Sequence, residues 1–238
     1  LLRDKSILKF DRGAVDTIEI VEGTKTLAFK KAGEVEWNIV QPVSLRGDFG
    51  AIDGILNSLT STQVQKFYDG ETDLAKFGLD KPMMTATVSG GGTRATLLIG
   101  KADGGNRFAK DSNRPIIFTL GENLVRDLRK NAQDLRRRDI FDSRPYSAQR
   151  FEFTRLSAEA PGAKAGGADV IAIEKAKGKD DAEVWKNAAG KELETEKAAD
   201  PLNKFTSLRA DSFESTPPAG GKTPQLTVVR AFGQRKRT

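Results

Sequence analysis

Alternation of apolar and polar residues in short segments is the feature that most limits the fold. Ile18 and Ile20 are separated by a single polar residue, and Leu27 and Phe29 repeat the pattern in the next segment. A period of two places these apolar side chains on one face of a strand. The residues Glu-Gly-Thr-Lys at 22–25 have the composition of a tight turn, so we predict an antiparallel meander with one polar face.

A third strand and a helix extend this pattern. The segment 35–39 predicts a strand with Val35, Trp37 and Ile39 on one side. Asp48 then stands in the N-cap position of a predicted helix. Its core-facing residues, at helical spacing, are Ile52, Ile55, Leu56 and Leu59.

A second helix end is marked by glycine. The run 71–79 predicts a short helix with acidic residues at its start. We expect Gly78 to adopt the left-handed conformation after the last turn and Leu79 to fold back on Leu74. Pro82 prevents any continuation of the helix.

Three consecutive glycines at 90–92 admit two interpretations. They fit a degenerate dinucleotide-binding fingerprint, but such a site needs a helix N-terminus directly after the glycines. Here the β-prone run 93–99 follows, and the β-prone run 84–88 precedes. We therefore predict a hairpin turn, and we expect no bound cofactor.

A predicted helix over 122–135 has core-facing residues Leu124, Val125, Leu128 and Leu135. On or beside this helix lies the densest basic cluster of the chain, formed by Arg126, Arg129, Lys130, Arg136, Arg137 and Arg138. The cluster could meet phosphate groups of nucleic acid or lipid. Acidic residues are interleaved and aromatic residues are not, so the sequence favours a solvated face over an anionic partner. We do not expect nucleic acid as a partner.

The chain partly repeats itself after residue 134. Ile18-Glu-Ile20 is echoed by Phe151-Glu-Phe153, and Trp37 is echoed by Trp185. Ile7-Leu8 is echoed by Ile140-Phe141. The core-facing residues of the first helix are echoed by Leu202, Phe205 and Leu208. The echoes of Trp37 and of the helix require an insertion at 158–168 in the second copy. This predicts an α+β fold of two tandem modules. Each module is a mostly antiparallel sheet with one or two packed helices. The first is complete at 1–134, and the second, at 135–238, is diverged or truncated, with 216–229 as the possible start of a second hairpin.

The absence of two residue types limits the chemistry. The 238 residues include no cysteine and no histidine, which excludes disulfides, thiolate nucleophiles and the commonest general base and metal ligand. We therefore expect a protein that is not an enzyme and holds no metal. The formal net charge is +6, but charges of both signs are mixed along the chain.

Several short motifs in a fixed order carry a family resemblance. They are Trp37-Asn-Ile-Val-Gln-Pro42, Phe77-Gly-Leu-Asp-Lys-Pro82 and Leu97-Leu-Ile-Gly100. In this order they resemble the bacterial domain-of-unknown-function 4340 family. The resemblance implies an N-terminal membrane helix, a repeated domain outside the cytoplasm, and proximity to gliding-type ABC transporter components. It brings no catalytic residues. Since the chain starts without an initiator methionine, we expect that anchor to lie upstream.

These observations lead to one functional hypothesis and one alternative. We expect a non-enzymatic interaction or scaffold module with a protein partner, the extracytoplasmic part of a membrane-tethered accessory protein. Open sheet edges would offer the partner a route by strand addition. The alternative is a carbohydrate-binding or carbohydrate-active domain. It would need facing carboxylates or an exposed aromatic platform, whereas Trp37 and Trp185 are predicted to be core residues.

Overall fold

The computed structural model describes residues 3–140, 148–155, 169–178, 181–214 and 227–233. The fold is α+β with antiparallel sheets and few helices, as predicted. The chain divides into two compact units, Leu1–Arg137 and Arg138–Thr238.

The first unit is built on a nine-stranded sheet in the order β4-β3-β2-β1-β6-β7-β8-β9-β5. Its strands are β1 (Thr17–Glu22), β2 (Lys25–Lys31), β3 (Trp37–Gln41), β4 (Leu45–Arg46), β5 (Lys66–Tyr68), β6 (Met84–Gly90), β7 (Thr93–Asp103), β8 (Asn106–Asp111) and β9 (Ile117–Gly121). Its helices are α1 (Phe49–Ser61), α2 (Leu74–Phe77) and α3 (Glu122–Leu128).

The predicted meander is confirmed at β1 and β2. Ile18 lies opposite Phe29 and Ile20 lies opposite Leu27, and all four side chains are buried. Val35 departs from the prediction, because β3 begins at Trp37 and the Val35 side chain is 62% exposed.

Helix α1 follows its sequence signals closely. The Asp48 carboxylate accepts the backbone N–H of Ala51 at 2.9 Å, which is the predicted N-cap. All four predicted core-facing residues of α1 are buried. They pack with α3 and the strands in one continuous core on one face of the sheet.

The predicted ending of α2 is also confirmed. Gly78 has φ 67° and ψ 30°, and its N–H donates to the Ala75 carbonyl at 3.1 Å. The Leu79 N–H donates to the Leu74 carbonyl at 2.9 Å, which completes a Schellman motif. Leu79 and Phe77 pack in a separate apolar cluster on the opposite face of the sheet.

The three glycines turn a hairpin between β6 and β7, as predicted. Thr93 lies opposite Gly90, and the two residues between them, Gly91 and Gly92, have φ of 56° and 77°. Gly90 is required for a different reason. A Cβ there would stand 1.8 Å from the carbonyl oxygen of Ala14, so only glycine lets the two backbones approach.

The helix predicted over 122–135 is too long, because α3 ends at Leu128. The Asn131 side chain accepts the backbone N–H groups of Gln133 at 2.8 Å and of Asp134 at 3.0 Å. The Asp134 carboxylate in turn accepts the N–H of Asn131 at 3.1 Å. These local bonds offer the backbone an alternative to the helix. Leu135 is nevertheless buried, as expected.

The second unit has a five-stranded sheet in the order β13-β12-β11-β10-β14. Its elements are β10 (Ala148–Arg155), β11 (Asp169–Lys177), β12 (Glu183–Asn187), β13 (Glu192–Leu193), α4 (Thr195–Thr206) and β14 (Thr227–Gly233). The buried residues found in its core are Phe151, Ile173, Trp185 and Ala198, with Leu193 packed against them.

Two residues of the sequence echoes do not share the burial of their counterparts in the first unit. Leu208 lies beyond the end of α4 and is 44% exposed, whereas its supposed counterpart Leu59 is fully buried. Ile140 is 58% exposed, whereas Ile7 is buried. Three other parts of the predicted echoes lie outside the described residues, namely Phe141, the insertion at 158–168 and the segment 216–226. The side chain of Leu202 is not described either.

Candidate functional site

A cavity of about 400 Å³ lies in the first unit where α3 stops short. Its floor comes from neighbouring strands, because Met84 lies opposite Glu22 between β6 and β1, and Ile20 lies opposite Leu27 between β1 and β2. Leu128, the last residue of α3, forms part of the wall. We name this site the hairpin-end cavity, since the turn between β1 and β2 forms one side of its mouth.

The interior of the hairpin-end cavity is mostly apolar. The side chains of Ile20, Leu27, Met84 and Leu128 line it, and each is at most 9% exposed. Pro42 lines it from the end of β3. An apolar interior with a few polar groups at the mouth is typical of pockets that bind small molecules.

Charged side chains surround the mouth. The Arg129 guanidinium lies 2.7 Å from the Glu22 carboxylate, which joins the end of α3 to the end of β1. Lys25 and Lys130 are also lining residues and are exposed. Neither ammonium group has a hydrogen bond or ion pair with any residue that the structure describes. Three cations and one carboxylate therefore leave the mouth with an excess of positive charge.

The basic cluster predicted from sequence is divided by the fold. Arg126 hydrogen-bonds to Asn123, and Arg129 pairs with Glu22. Gly47 forms an isolated antiparallel bridge with Arg136, and the Arg137 N–H donates to the Arg46 carbonyl at 2.8 Å. Arg138 belongs to the second unit, where its carbonyl accepts the N–H of Ala210.

The six basic residues therefore lie in different parts of the fold. Only Arg126 lies within α3, so the six residues do not form a stripe along one helix. Arg129 and Lys130 are the two members that line the cavity. Sequence reasoning missed Glu22 and Lys25, which are more than 100 residues away in the chain. The residues at 22–25 carry a turn signal, but nothing in that signal indicates which helix end the turn meets.

A second ion pair stands at the start of α3. The Arg107 guanidinium donates to both oxygens of Glu122, at 2.8 Å and 3.2 Å. These hydrogen bonds lower the pKa of the Glu122 carboxyl, and the positive charges of Arg129 and Arg126 act in the same direction. Burial of the carboxyl opposes the shift. Glu122 is therefore held in its ionised form at the positive end of the α3 dipole.

The sheet edges of the first unit are short and partly covered. Beside the two-residue strand β4 runs the segment 136–137. At the other edge, Lys5 and Ser6 pair with residues 63–64 just before β5, and the Arg3 guanidinium lies 3.7 Å from the centre of the Phe67 ring. Such coverage hinders pairing with another chain.

The second unit differs at one edge. Strand β13 has two residues, whereas β14 has seven and pairs with β10. Within the described residues no strand pairs with the other side of β14. Among the described strands, β14 is therefore an edge whose backbone groups on that side have no partner strand.

Both tryptophans are core residues. Trp37 is 4% exposed and Trp185 is 8% exposed, and the Trp185 ring packs on that of Phe151 at 5.8 Å between centroids. Neither ring offers a face on which a sugar could stack.

These observations define an α+β protein of open antiparallel sheets with an apolar cavity that has a cationic mouth. The chain belongs to the family described as Domain of unknown function (DUF4340), which it matches over residues 37–226. The motifs that carried the resemblance, from Trp37 to Gly100, lie inside this match. No curated protein matches the chain, and no solved structure matches it. Within the described residues, no helix is both long enough and apolar enough to cross a bilayer.

Proposed function

We propose that this chain is a non-enzymatic interaction module, and that β14 is the edge to which a partner protein adds a strand. The observation that supports this proposal is the side of β14 opposite β10, which no strand occupies within the described residues. Main-chain hydrogen bonds along such an edge give affinity, and the partner's alternate side chains give specificity.

A relationship between the two units supports the same edge. The order β13-β12-β11-β10-β14 follows the same connectivity as β4-β3-β2-β1-β6 in the first unit. The pairing registers also agree, because Trp37 lies opposite Lys31 and Trp185 lies opposite Lys175. We infer that the units are tandem related modules, at 1–134 and 135–238, in which β14 takes the place of β6.

In the first unit, β7 pairs antiparallel with β6 on the side away from β1. The corresponding side of β14 is therefore a position that this fold fills with a strand. We propose that an antiparallel strand of the partner fills it.

The setting of this module is proposed from the family resemblance. We propose that a membrane helix anchors the protein and places the modules outside the cytoplasm. There it would serve as an accessory or scaffold of a transporter-like assembly, and the partner strand would come from a subunit of that assembly.

Proline substitutions in β14 test this proposal. In an antiparallel ladder, N–H groups of alternate residues point to opposite neighbours. Val228 and Arg230 thus form one set, and Val229 and Ala231 form the other. A proline that removes an N–H bonded to β10 should unfold the second unit, whereas a proline in the other set should leave it folded.

The readout is the complex of the full-length protein, purified from its own membranes and identified by mass spectrometry. Near-ultraviolet circular dichroism of the purified protein reports whether it remains folded. We expect the proline set that spares folding to abolish stoichiometric recovery of transporter-type membrane subunits. The proposal is wrong if that set retains the subunits, or if the unsubstituted protein recovers none.

A further inference from the structure

We propose that the hairpin-end cavity binds a small amphipathic anion, an apolar chain that ends in a carboxylate. This inference goes beyond the proposed function, because the cavity lies in the first unit and needs no partner strand. It rests on the size of the cavity, its apolar interior and the charges at its mouth.

The interior selects for an apolar chain. Met84 and Ile20 from neighbouring strands form the floor, and Leu128 forms the wall. Apart from the weak acceptor sulfur of Met84, these side chains offer no hydrogen bond, so a polar group placed there would lose its bonds to water with little replacement. Each methylene group entering the same space would raise the affinity about fourfold by leaving water.

The mouth selects for a negative charge. Arg129 is already paired with Glu22 at 2.7 Å, so this pair is close to neutral as a unit. Lys25 flanks the opening from the start of β2, and Lys130 flanks it from the segment after α3. Neither lysine has a carboxylate partner among the described residues. A ligand carboxylate at the mouth would supply that partner, while a ligand cation would be repelled.

The size limits the ligand to a small molecule. A volume of about 400 Å³ lies near the lower end of the range for ligand pockets, which runs from about 300 to 1,000 Å³. A linear apolar chain with one anionic end matches both the apolar interior and the positive charge at the mouth.

The methionines make a direct test practical. The chain has 2 methionines, which are Met83 and Met84. Met84 lines the cavity, whereas the Met83 sulfur accepts a hydrogen bond from Arg107 at 3.0 Å and does not line it. With ¹³C-methyl methionine in the complete chain, NMR reports the cavity through one signal and an internal reference through the other.

Octanoate is the probe, and octanol and octylammonium are its matched neutral and cationic controls. We expect octanoate to shift the Met84 methyl signal saturably and to leave the Met83 signal in place. Octanol should bind more weakly, and octylammonium should not bind.

One variant tests the lysines at the mouth, and another tests the apolar interior. Lys25→Gln with Lys130→Gln should raise the Kd for octanoate by about threefold to fivefold per lysine, since each removes one exposed charge interaction. The control pair is Lys5→Gln with Lys81→Gln, which changes the net charge equally at exposed positions that do not line the cavity. Ala132→Leu places a larger side chain on the cavity wall and should abolish binding.

Three results would overturn the proposal. The first is no saturable Met84 shift with octanoate, and the second is equal affinity for octylammonium. The third is equal loss of affinity in both pairs of lysine variants. If Ala132→Leu fails to fold, the exposed lysine variants still decide the question.

Discussion

The ring of Phe151 packs against the ring of Trp185 at 5.8 Å between centroids and 54° between planes. This contact joins β10 to β12, although β11 lies between them in the sheet. Ile173 from β11 and Ala198 from α4 complete the buried set described for the second unit. Both aromatic side chains lie at the centre of this buried set, so the unit depends on their packing.

Trp185→Ala should therefore unfold the second unit and leave the first unit folded. The lost burial and the resulting cavity cost about 3–5 kcal/mol, which is a large part of the stability of a small unit. Amide hydrogen exchange should become fast in β10, β11 and β12 and stay slow in β6 and β7.

The matched control is Trp37→Ala in the first unit. Trp37 belongs to a continuous core that joins α1, α3 and the strands of both meanders, so the substitution should lower the free energy of unfolding while the unit still folds. Equal effects of the two substitutions on their own units would contradict this account of the cores.

Gly90→Ala should destabilise the first unit by about 3 kcal/mol or more. The new Cβ would stand 1.8 Å from the Ala14 carbonyl oxygen, so either the β6–β7 hairpin or the segment before β1 must move. Urea unfolding measures the loss.

Gly105→Ala is the control for this prediction. It has open space around the position of its Cβ, and the change in stability should stay within about 0.5 kcal/mol. A Gly90→Ala variant as stable as the control would show that the two backbones are not in contact.

The Glu122 ion pair predicts a pH dependence with a definite sign. Arg107 lowers the pKa of the Glu122 carboxyl in the folded state below its usual value of 4.5. The pair therefore contributes stability above the unfolded pKa, and this contribution is lost as the pH falls through the folded pKa.

Glu122→Gln should accordingly lower the free energy of unfolding near neutral pH by at most about 1 kcal/mol, because both side chains are partly exposed. Below the folded pKa, the variant and the unsubstituted protein should be equally stable. Glu34→Gln, at an exposed position, should leave the free energy of unfolding near neutral pH almost unchanged. Urea unfolding across the acidic pH range tests this prediction. If the difference in the free energy of unfolding between Glu122→Gln and the unsubstituted protein grew on acidification, the direction of the pKa shift would be wrong.

Local signals explain which elements could be predicted from the sequence. Asp48 and the spacing from Ile52 to Leu59 were sufficient for α1, because capping and amphipathic periodicity act within a few residues. Gly78 was sufficient for the end of α2, because few residues other than glycine adopt the left-handed conformation readily. The β6–β7 hairpin followed from its glycines in the same way.

Non-local pairing explains most of what was missed. The two meanders form one sheet because β1 pairs with β6, and no short-range pattern specifies that neighbour. The contact between Glu22 and Arg129 depends on the same assembly. The length of α3 was predictable in principle, because Asn131 and Asp134 are residues that close local turns in competition with a helix.

The tandem relationship remains an inference from connectivity, register and sequence echoes. Agreement between the pairs Lys31–Trp37 and Lys175–Trp185 supports it. Leu208 and Ile140 do not follow it, since both are exposed where their counterparts are buried. Within the described residues, the second unit therefore has the strand order of the first but not its burial at these two positions.

Amide hydrogen exchange along β14 is the most direct test of the interaction-module proposal. It compares Thr227–Gly233 in the isolated protein with the same residues of the protein in the proposed assembly. The proposal predicts that exchange slows at alternate residues, those whose N–H groups point away from β10, and stays as slow as before at the others. Unchanged exchange at every residue of β14 in the intact assembly would contradict it.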